Sequence, residues 1–375
     1  MKDNLGVLMN EEKAIYTLRA LYKQYGYSLY KVSKFEEYDL YARNKNFLVS
    51  QNILSFTDTN GKLLALKPDV TLSIVKNLAD AKDVTYKLCY NENVYRPSSE
   101  SDGFREIMQT GLECIGEIDR YSECEVIMLA MKSLATVSSD YILDLSHRGM
   151  IDGLFEDVSL DYSERAELVR LMESKNVHAI RSFCEARGLC GEFSQRVSAL
   201  TELYAPIEKA VTALSEIAVG EKMRAALEDL KEISAVISAY GLSDRLYLDF
   251  SIVSDVNYYD GISFKGYING IPESVLSGGR YDRMLKRLGK NMGAIGFAVY
   301  LDRLERFEAS SAEYDVEAVL LYDKDSSSGE LLEAQRSLYE TYGTVITAQR
   351  IDPTLRVRRC FKLVDGGIKN LETND

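Results

Sequence analysis

Along this chain the apolar positions switch between a helical period and a period of two, and the switches mark out the elements. In "EEKAIYTLRALYKQY" (residues 11–25), Ile15, Leu18 and Leu21 or Tyr22 share one stripe, closed by Gly26; this predicts a helix. "YSLYKV" then reads as a strand. "NILSFTDTNGKLLALKP" predicts a hairpin, because apolar alternation flanks Asn60-Gly61, a pair suited to a tight turn, and Pro68 stops the second strand. "DVTLSIVKNLA" predicts a helix with Asp69 or Thr71 near its N-terminus. "TYKLCYNENVYR" and "REIMQTGLECIG" are strand-like runs joined by the polar loop "PSSESDGF". A helix over "YSECEVIMLAMKSLATV", capped by Ser122, and a strand over "DYILDLSH" follow.

From about 149 to 241 long helical patterns take over, with a single proline, Pro206. Strand-like sequence returns at "RLYLDFSIV", "GISFKGYI" and "ESVLSGG", and "GAIGFAVYLDRLERF" reads as a strand or turn running into a helix. The tail holds "VEAVLLYD", a helix over "GELLEAQRSLYETYG" and a strand over "TVITAQR". Hairpin-like turns between strands argue for an α+β fold: a mainly antiparallel sheet with helices packed on it, not a regular βαβ series. The expected organisation is a core from 1–148 and 242–310, a helical insertion over 149–241, and a truncated α/β unit over 311–375.

Composition narrows the class. The chain has 375 residues, 46% apolar and 27% charged, as in an ordinary folded protein with a large core. No apolar run approaches membrane-spanning length, and the N-terminus lacks the basic-then-apolar pattern of a signal peptide, so a cytoplasmic protein without membrane contact is expected. A net charge of −13 weighs against nucleic-acid binding. The six cysteines are scattered with no CxxC pair, which reads as reduced thiols and no metal site, and nothing calls for a cofactor. With His147 and His178 the only histidines, catalysis by histidine is not expected.

The chemistry concentrates on polar residues at or beside strands. Asp69 and Thr71 follow a strand in "LKPDVT", Arg96 ends another, and Gln109 and Glu113, four apart, point to one face of the next. Tyr258 and Tyr259 precede "DGISF"; Tyr281 follows two glycines that permit close backbone approach. Carboxylates and an amide suit an ammonium, a carboxylate with a tyrosine hydroxyl suits a polar ring, and arginine suits a carboxylate or phosphate. Together they suit an amino acid. Taken singly, each has a blander reading: a solvated sheet face for Gln109 and Glu113, packing for the tyrosines, and for Arg303 a surface pair with Glu305 or Asp302.

In order and spacing, "LKPDVT", "VYR…FREIMQTGLECIG", "NYYDGISF", "SGGRYDRMLKRLG" and "AIGFAVYLDRL" resemble histidyl-tRNA synthetase, a class II synthetase, from about residue 10 to 308. The resemblance implies that Asp69, where that family has a longer acid, holds the ligand's ammonium, helped by Thr71 and Gln109. It implies that Glu113 and Tyr259, beside Tyr258, contact an imidazole, that Tyr281 is a further pocket tyrosine, and that Arg96 is the motif 2 arginine. The departures matter as much. Ser98 stands where the synthetases carry an adenine-contacting glutamate, Ser254 where they carry an arginine promoting adenylate formation, Tyr300 where a glycine leaves room for ATP, and Ser33 at the motif 1 proline. Activation needs positive charge at the developing phosphorane, and the tail of about sixty residues is short for an anticodon-binding domain.

A chain of this kind resembles the regulatory subunits of ATP phosphoribosyltransferase. That resemblance implies no catalytic residues of its own and a self-dimer. It implies assembly with a short-form catalytic subunit as a hetero-octamer, and histidine as the effector that inhibits the first step of histidine biosynthesis. The polar "PSSESDGF" loop is the element expected to move over the ligand. A degenerate but active histidyl-tRNA synthetase is the alternative.

Overall fold

The computed structural model describes residues 10–48, 52–80, 84–98, 103–189, 191–252, 258–304, 314–364 and 366–371. It separates into two compact units, Met1–Glu305 and Arg306–Asp375.

The first unit is built on a nine-stranded, mostly antiparallel sheet. Its longest strands form the hairpin Tyr86–Pro97 and Phe104–Gly116, next to one edge, whose second strand pairs antiparallel with Gly293–Tyr300. Leu276–Arg280, Ile262–Ile268, Tyr141–His147 and Leu246–Asp249 continue it outward. Two parallel pairings depart from the antiparallel rule: Ser28–Leu29 with Leu88–Cys89, and Tyr141–His147 with Leu246–Asp249. The strand read over "YSLYKV" is thus only two residues long, and the chain goes on to Phe35–Glu37 in a separate three-stranded sheet with Leu63–Leu66 and Ser55–Thr57. Between those strands Gly61 sits at φ 78°, and Asp58 accepts from the amides of Asn60 and Lys62. The hairpin forms because glycine takes that angle without strain.

One face of the large sheet packs on the helices Asn10–Gln24 and Arg120–Val137, in a core where Tyr22 meets Phe297 edge-on at 5.9 Å. The cap of the second helix is Asp119, not Ser122: the Asp119 carboxylate accepts from both the amide and the hydroxyl of Ser122. A carboxylate is the stronger acceptor, and the register puts it one turn back. The opposite face carries a second core under the helices Val70–Asn77 and Asp282–Arg287. Buried Lys67, 2.5 Å from the Glu92 carboxylate, ties the end of the small hairpin to that face.

Residues 148–239 form six helices, of which Gly220–Ala239 is the longest. The purely helical reading misses Tyr204–Pro206, a short strand at the edge of the large sheet, paired antiparallel with Leu246–Asp249. The second unit has a four-stranded sheet with Val316–Leu321 parallel to Val345–Ala348 and to Val357–Val364, and the helix Ser328–Tyr342 on its core. The strands Val357–Val364 and Gly367–Leu371 have no counterpart in the sequence reading.

Candidate functional site

All eight residues singled out from the sequence line one cavity of about 420 Å³ on the open face of the large sheet. Three elements place them. The strand Phe104–Gly116 aims Gln109 and Glu113 upward from the floor, as the two-residue period requires. The turn into Val70–Asn77 brings Asp69 and Thr71 in from one side, and the segment before Asp282–Arg287 brings Tyr281 from the other. Tyr258 and Tyr259 pack edge-to-face at 4.8 Å, and Tyr258 also lies 5.9 Å from the Tyr281 ring, giving an aromatic wall.

Glu113 is the centre of the arrangement and is 2% exposed. The Thr71 hydroxyl donates to its Oε1 and the Tyr281 hydroxyl to its Oε2, each at 2.5 Å. Burial lifts its carboxyl from the ordinary 4.5 to about 8, against the pull of the two hydroxyls; the nearby Asp69 carboxylate pushes it the same way. Asp69 has two tasks. Its Oδ1 caps the helix by accepting from Leu72 N at 2.8 Å, and its carboxyl faces the cavity, raised by burial and held down in part by that amide and by Arg96. Arg96 donates from Nε to the Pro68 carbonyl at 2.9 Å, which fixes the turn that carries Asp69. The Gln109 amide nitrogen is buried and has no hydrogen-bond partner among the described residues. Burial also holds the phenols of Tyr90, Tyr258 and Tyr281 well above their ordinary range, so all three are neutral hydroxyls.

A buried amide donor left over, and two buried carboxyls that oppose each other's charge, make a site that lacks a partner of its own. It suits a small molecule bringing a cation, a ring N–H and an acceptor.

Several cavity residues escaped the sequence reading. Tyr90 and Ala298 belong to neighbouring strands and join the lining only through register. Gly296 lies directly beneath Glu113: a Cβ there would fall far inside contact with Oε2 and meet the Leu112 carbonyl at 2.5 Å. Its one sequence signal was a glycine interrupting a strand-like run. Lys265, Ser274 and Ser277 form the far end. There Arg303 has partners beyond the surface pair weighed for it, of which Glu305 lies outside the described residues. Its guanidinium stacks 4.5 Å over the Tyr300 ring, lies 2.9 Å from the Glu273 carboxylate and donates to the Ser274 carbonyl. Of the other departures, Ser33 is exposed and its hydroxyl accepts from Phe35 N, and the Ser98 amide donates to the Gly103 carbonyl at the neck of the polar loop. Ser254 and loop residues 99–102 lie outside the described residues.

Residues 8–304 match the family model for histidyl-tRNA synthetase. Over 333 residues, 86% of this chain and 85% of the relative, the chain is 31% identical to the ATP phosphoribosyltransferase regulatory subunit of Clostridium kluyveri. This chain belongs to the histidyl-tRNA synthetase-like family of ATP phosphoribosyltransferase regulatory subunits. Among solved structures, the regulatory-subunit fold is matched by an ATP phosphoribosyltransferase regulatory subunit/histidyl-tRNA synthetase from Bacillus halodurans, with TM-score 0.71, 23% identity, and 90% of this chain and 88% of that one covered. It is also matched by a chain of the ATP phosphoribosyl transferase (HisG:HisZ) complex from Thermotoga maritima, with TM-score 0.62, 17% identity, and 78% and 98% covered. For a regulatory subunit of this family, the α+β class II synthetase architecture is the observed one.

Proposed function

We propose that this chain is the non-catalytic regulatory subunit of an ATP phosphoribosyltransferase, and that its cavity is the receptor for free histidine. In this reading Asp69 and the Gln109 amide flank the ammonium and carboxylate, with Thr71 and Arg96 beside them. Glu113 faces the imidazole, and Tyr258, Tyr259 and Tyr281 wall the ring. The observation that carries it is the asymmetry of the cavity. Its Asp69–Glu113 end holds two buried carboxyls and the Gln109 amide nitrogen, which has no hydrogen-bond partner among the described residues, whereas at its Tyr300 end the Arg303 guanidinium is committed to Glu273 and Ser274. The first invites a small zwitterion; at the second Lys265 lines the cavity, but Arg303 is held by protein acceptors.

The catalytic step belongs to a partner chain, a short-form phosphoribosyltransferase, in a hetero-octamer organised around a dimer of this chain. Histidine inhibits by binding one conformation of this subunit better, and a coupling of about 1–3 kcal/mol across the interface is enough for strong feedback. The assembly is placed in the cytoplasm. That placement rests on the acidic composition and on Cys89, Cys114, Cys124, Cys184 and Cys360 being unbridged; among the described residues no helix is long and apolar enough to cross a membrane.

The test is co-expression with a short-form catalytic chain. Phosphoribosyl transfer should require this subunit and fall when histidine is added; transfer that is indifferent to both rejects the reading. A parallel assay of histidine-dependent ATP–pyrophosphate exchange should be silent, and measurable exchange would restore the synthetase alternative.

A further inference from the structure

The polar face of the large sheet continues past the cavity. In cross-strand register Ala298, Ser277 and Lys265 line the cavity, and the next residue in the same row is Asp144. Directly opposed residues on adjacent strands share a face. Asp144 is 6% exposed, and its Oδ1 has no hydrogen-bond partner among the described residues; the same holds for the hydroxyl of Ser146, two residues on. Asp249, equally buried, lies beyond it on the neighbouring strand.

This acid pair is answered from the helical region. Lys175, in the turn between the helices Tyr162–Glu173 and Val177–Ala186, reaches Asp249 Oδ2 at 2.9 Å and lies 5.1 Å over the ring of Tyr204. Tyr204 in turn stacks on Tyr247 at 5.1 Å. Lys175 is the one non-glycine residue among those described that has a positive φ, 51°. A side chain bearing a Cβ rarely adopts that angle without tertiary contacts to hold it. The titratable groups that face Asp144 are therefore Asp249, Lys175, Tyr204, Tyr267 and, across the ladder, Lys265.

We propose that Lys175 is a latch that seats the helices between 162 and 186 on the sheet edge, and that the Asp144–Lys265 row links the latch to the occupant of the cavity. The link is dielectric. A ligand that fills the cavity excludes water beside Lys265, which lines it, and the attraction between Lys265 and buried Asp144, its cross-strand neighbour, strengthens as that water leaves. Filling the cavity and closing the latch then favour each other, and the coupling is reciprocal. The cavity-linked half of this inference rests on histidine being the occupant; the latch itself does not.

Hydrogen exchange on the full chain tests it, with calorimetry of histidine binding alongside. Without ligand, Lys175→Met and Lys175→Gly should both raise exchange across 162–186 relative to wild type, although glycine relieves the backbone angle; Lys175→Arg should restore protection. With saturating histidine, wild type should gain protection in this segment and Lys175→Met should not, while its histidine affinity falls about fivefold or more. Unchanged ligand-free exchange in both variants overturns the latch. An equal histidine-induced gain in wild type and Lys175→Met overturns the link. If wild type binds no histidine at all, the receptor reading fails instead, and the ligand-free comparison still decides the latch.

Discussion

Binding of histidine should expel a proton from Glu113, and the number expelled follows from the pocket. Burial lifts this carboxyl from 4.5 to about 8, so at pH 7 roughly nine molecules in ten carry it protonated. A ring N–H or ammonium seated against Oε1 or Oε2 favours the charged form, so a partnered carboxylate replaces a neutral carboxyl. Each histidine bound at pH 7 then displaces about 0.9 proton from Glu113, on top of the roughly 0.2 that the free imidazole gives up if it binds neutral. Calorimetry in two buffers of different ionisation heat measures the total. Glu113→Gln, close in shape and unable to titrate, supplies the reference: the difference should be about 0.9 proton at pH 7 and about 0.1 at pH 9. Corrected for the free ligand's own titration, wild-type affinity should rise close to tenfold per pH unit from 6 towards 8 and then level off. The folded pKa lies above the unfolded one, so the unliganded protein binds the extra proton between about pH 4.5 and 8. Its stability should fall as pH rises through that window, and histidine should protect most on the alkaline side. A wild-type proton release equal to that of the variant refutes Glu113 as the charged contact.

Substitutions at three other sites separate roles that the geometry overlays. Gly296→Ala drives a methyl into the Glu113 carboxylate and the Leu112 carbonyl; it should cost about 1–3 kcal/mol in urea unfolding and abolish histidine binding in calorimetry. Asp69→Asn keeps a side chain able to cap Val70–Asn77 but removes the charge, so its unfolding midpoint should stay near wild type while histidine affinity drops by about a hundredfold; Asp69→Ala should lose the same affinity and about 1 kcal/mol of stability as well. Lys67→Met strands the Glu92 carboxylate, which then keeps only the Val32 amide, and should destabilise by on the order of 3 kcal/mol. The pair Lys67→Met with Glu92→Gln should recover most of that in thermal unfolding.

The pocket was legible wherever one strand or one turn carried the information. A period of two puts Gln109 and Glu113 on one face without knowledge of their neighbours, and "KPDVT" announces both a strand end and a helix cap. What stayed hidden depended on pairing across the sheet. Nothing local says that Gly293–Tyr300 lies beside Phe104–Gly116, so Gly296 beneath Glu113 and Tyr300 opposite Gln109 could not be placed. Arg303 finds Glu273, thirty residues back, because the intervening strands fold the two together. Tyr204–Pro206 is too short to interrupt a helical pattern, and in Val357–Val364 the adjacent Arg358 and Arg359 break the period of two that would mark a strand.

Among the described residues, every side chain that walls the cavity comes from Met1–Glu305 and none from the second unit, which has a hydrophobic nucleus of its own. In the proposed reading, every described contact to the small molecule comes from the first 305 residues. Changes confined to the last seventy residues leave every described lining residue in place, so substitutions there and in the pocket are free to drift at different rates within one polypeptide.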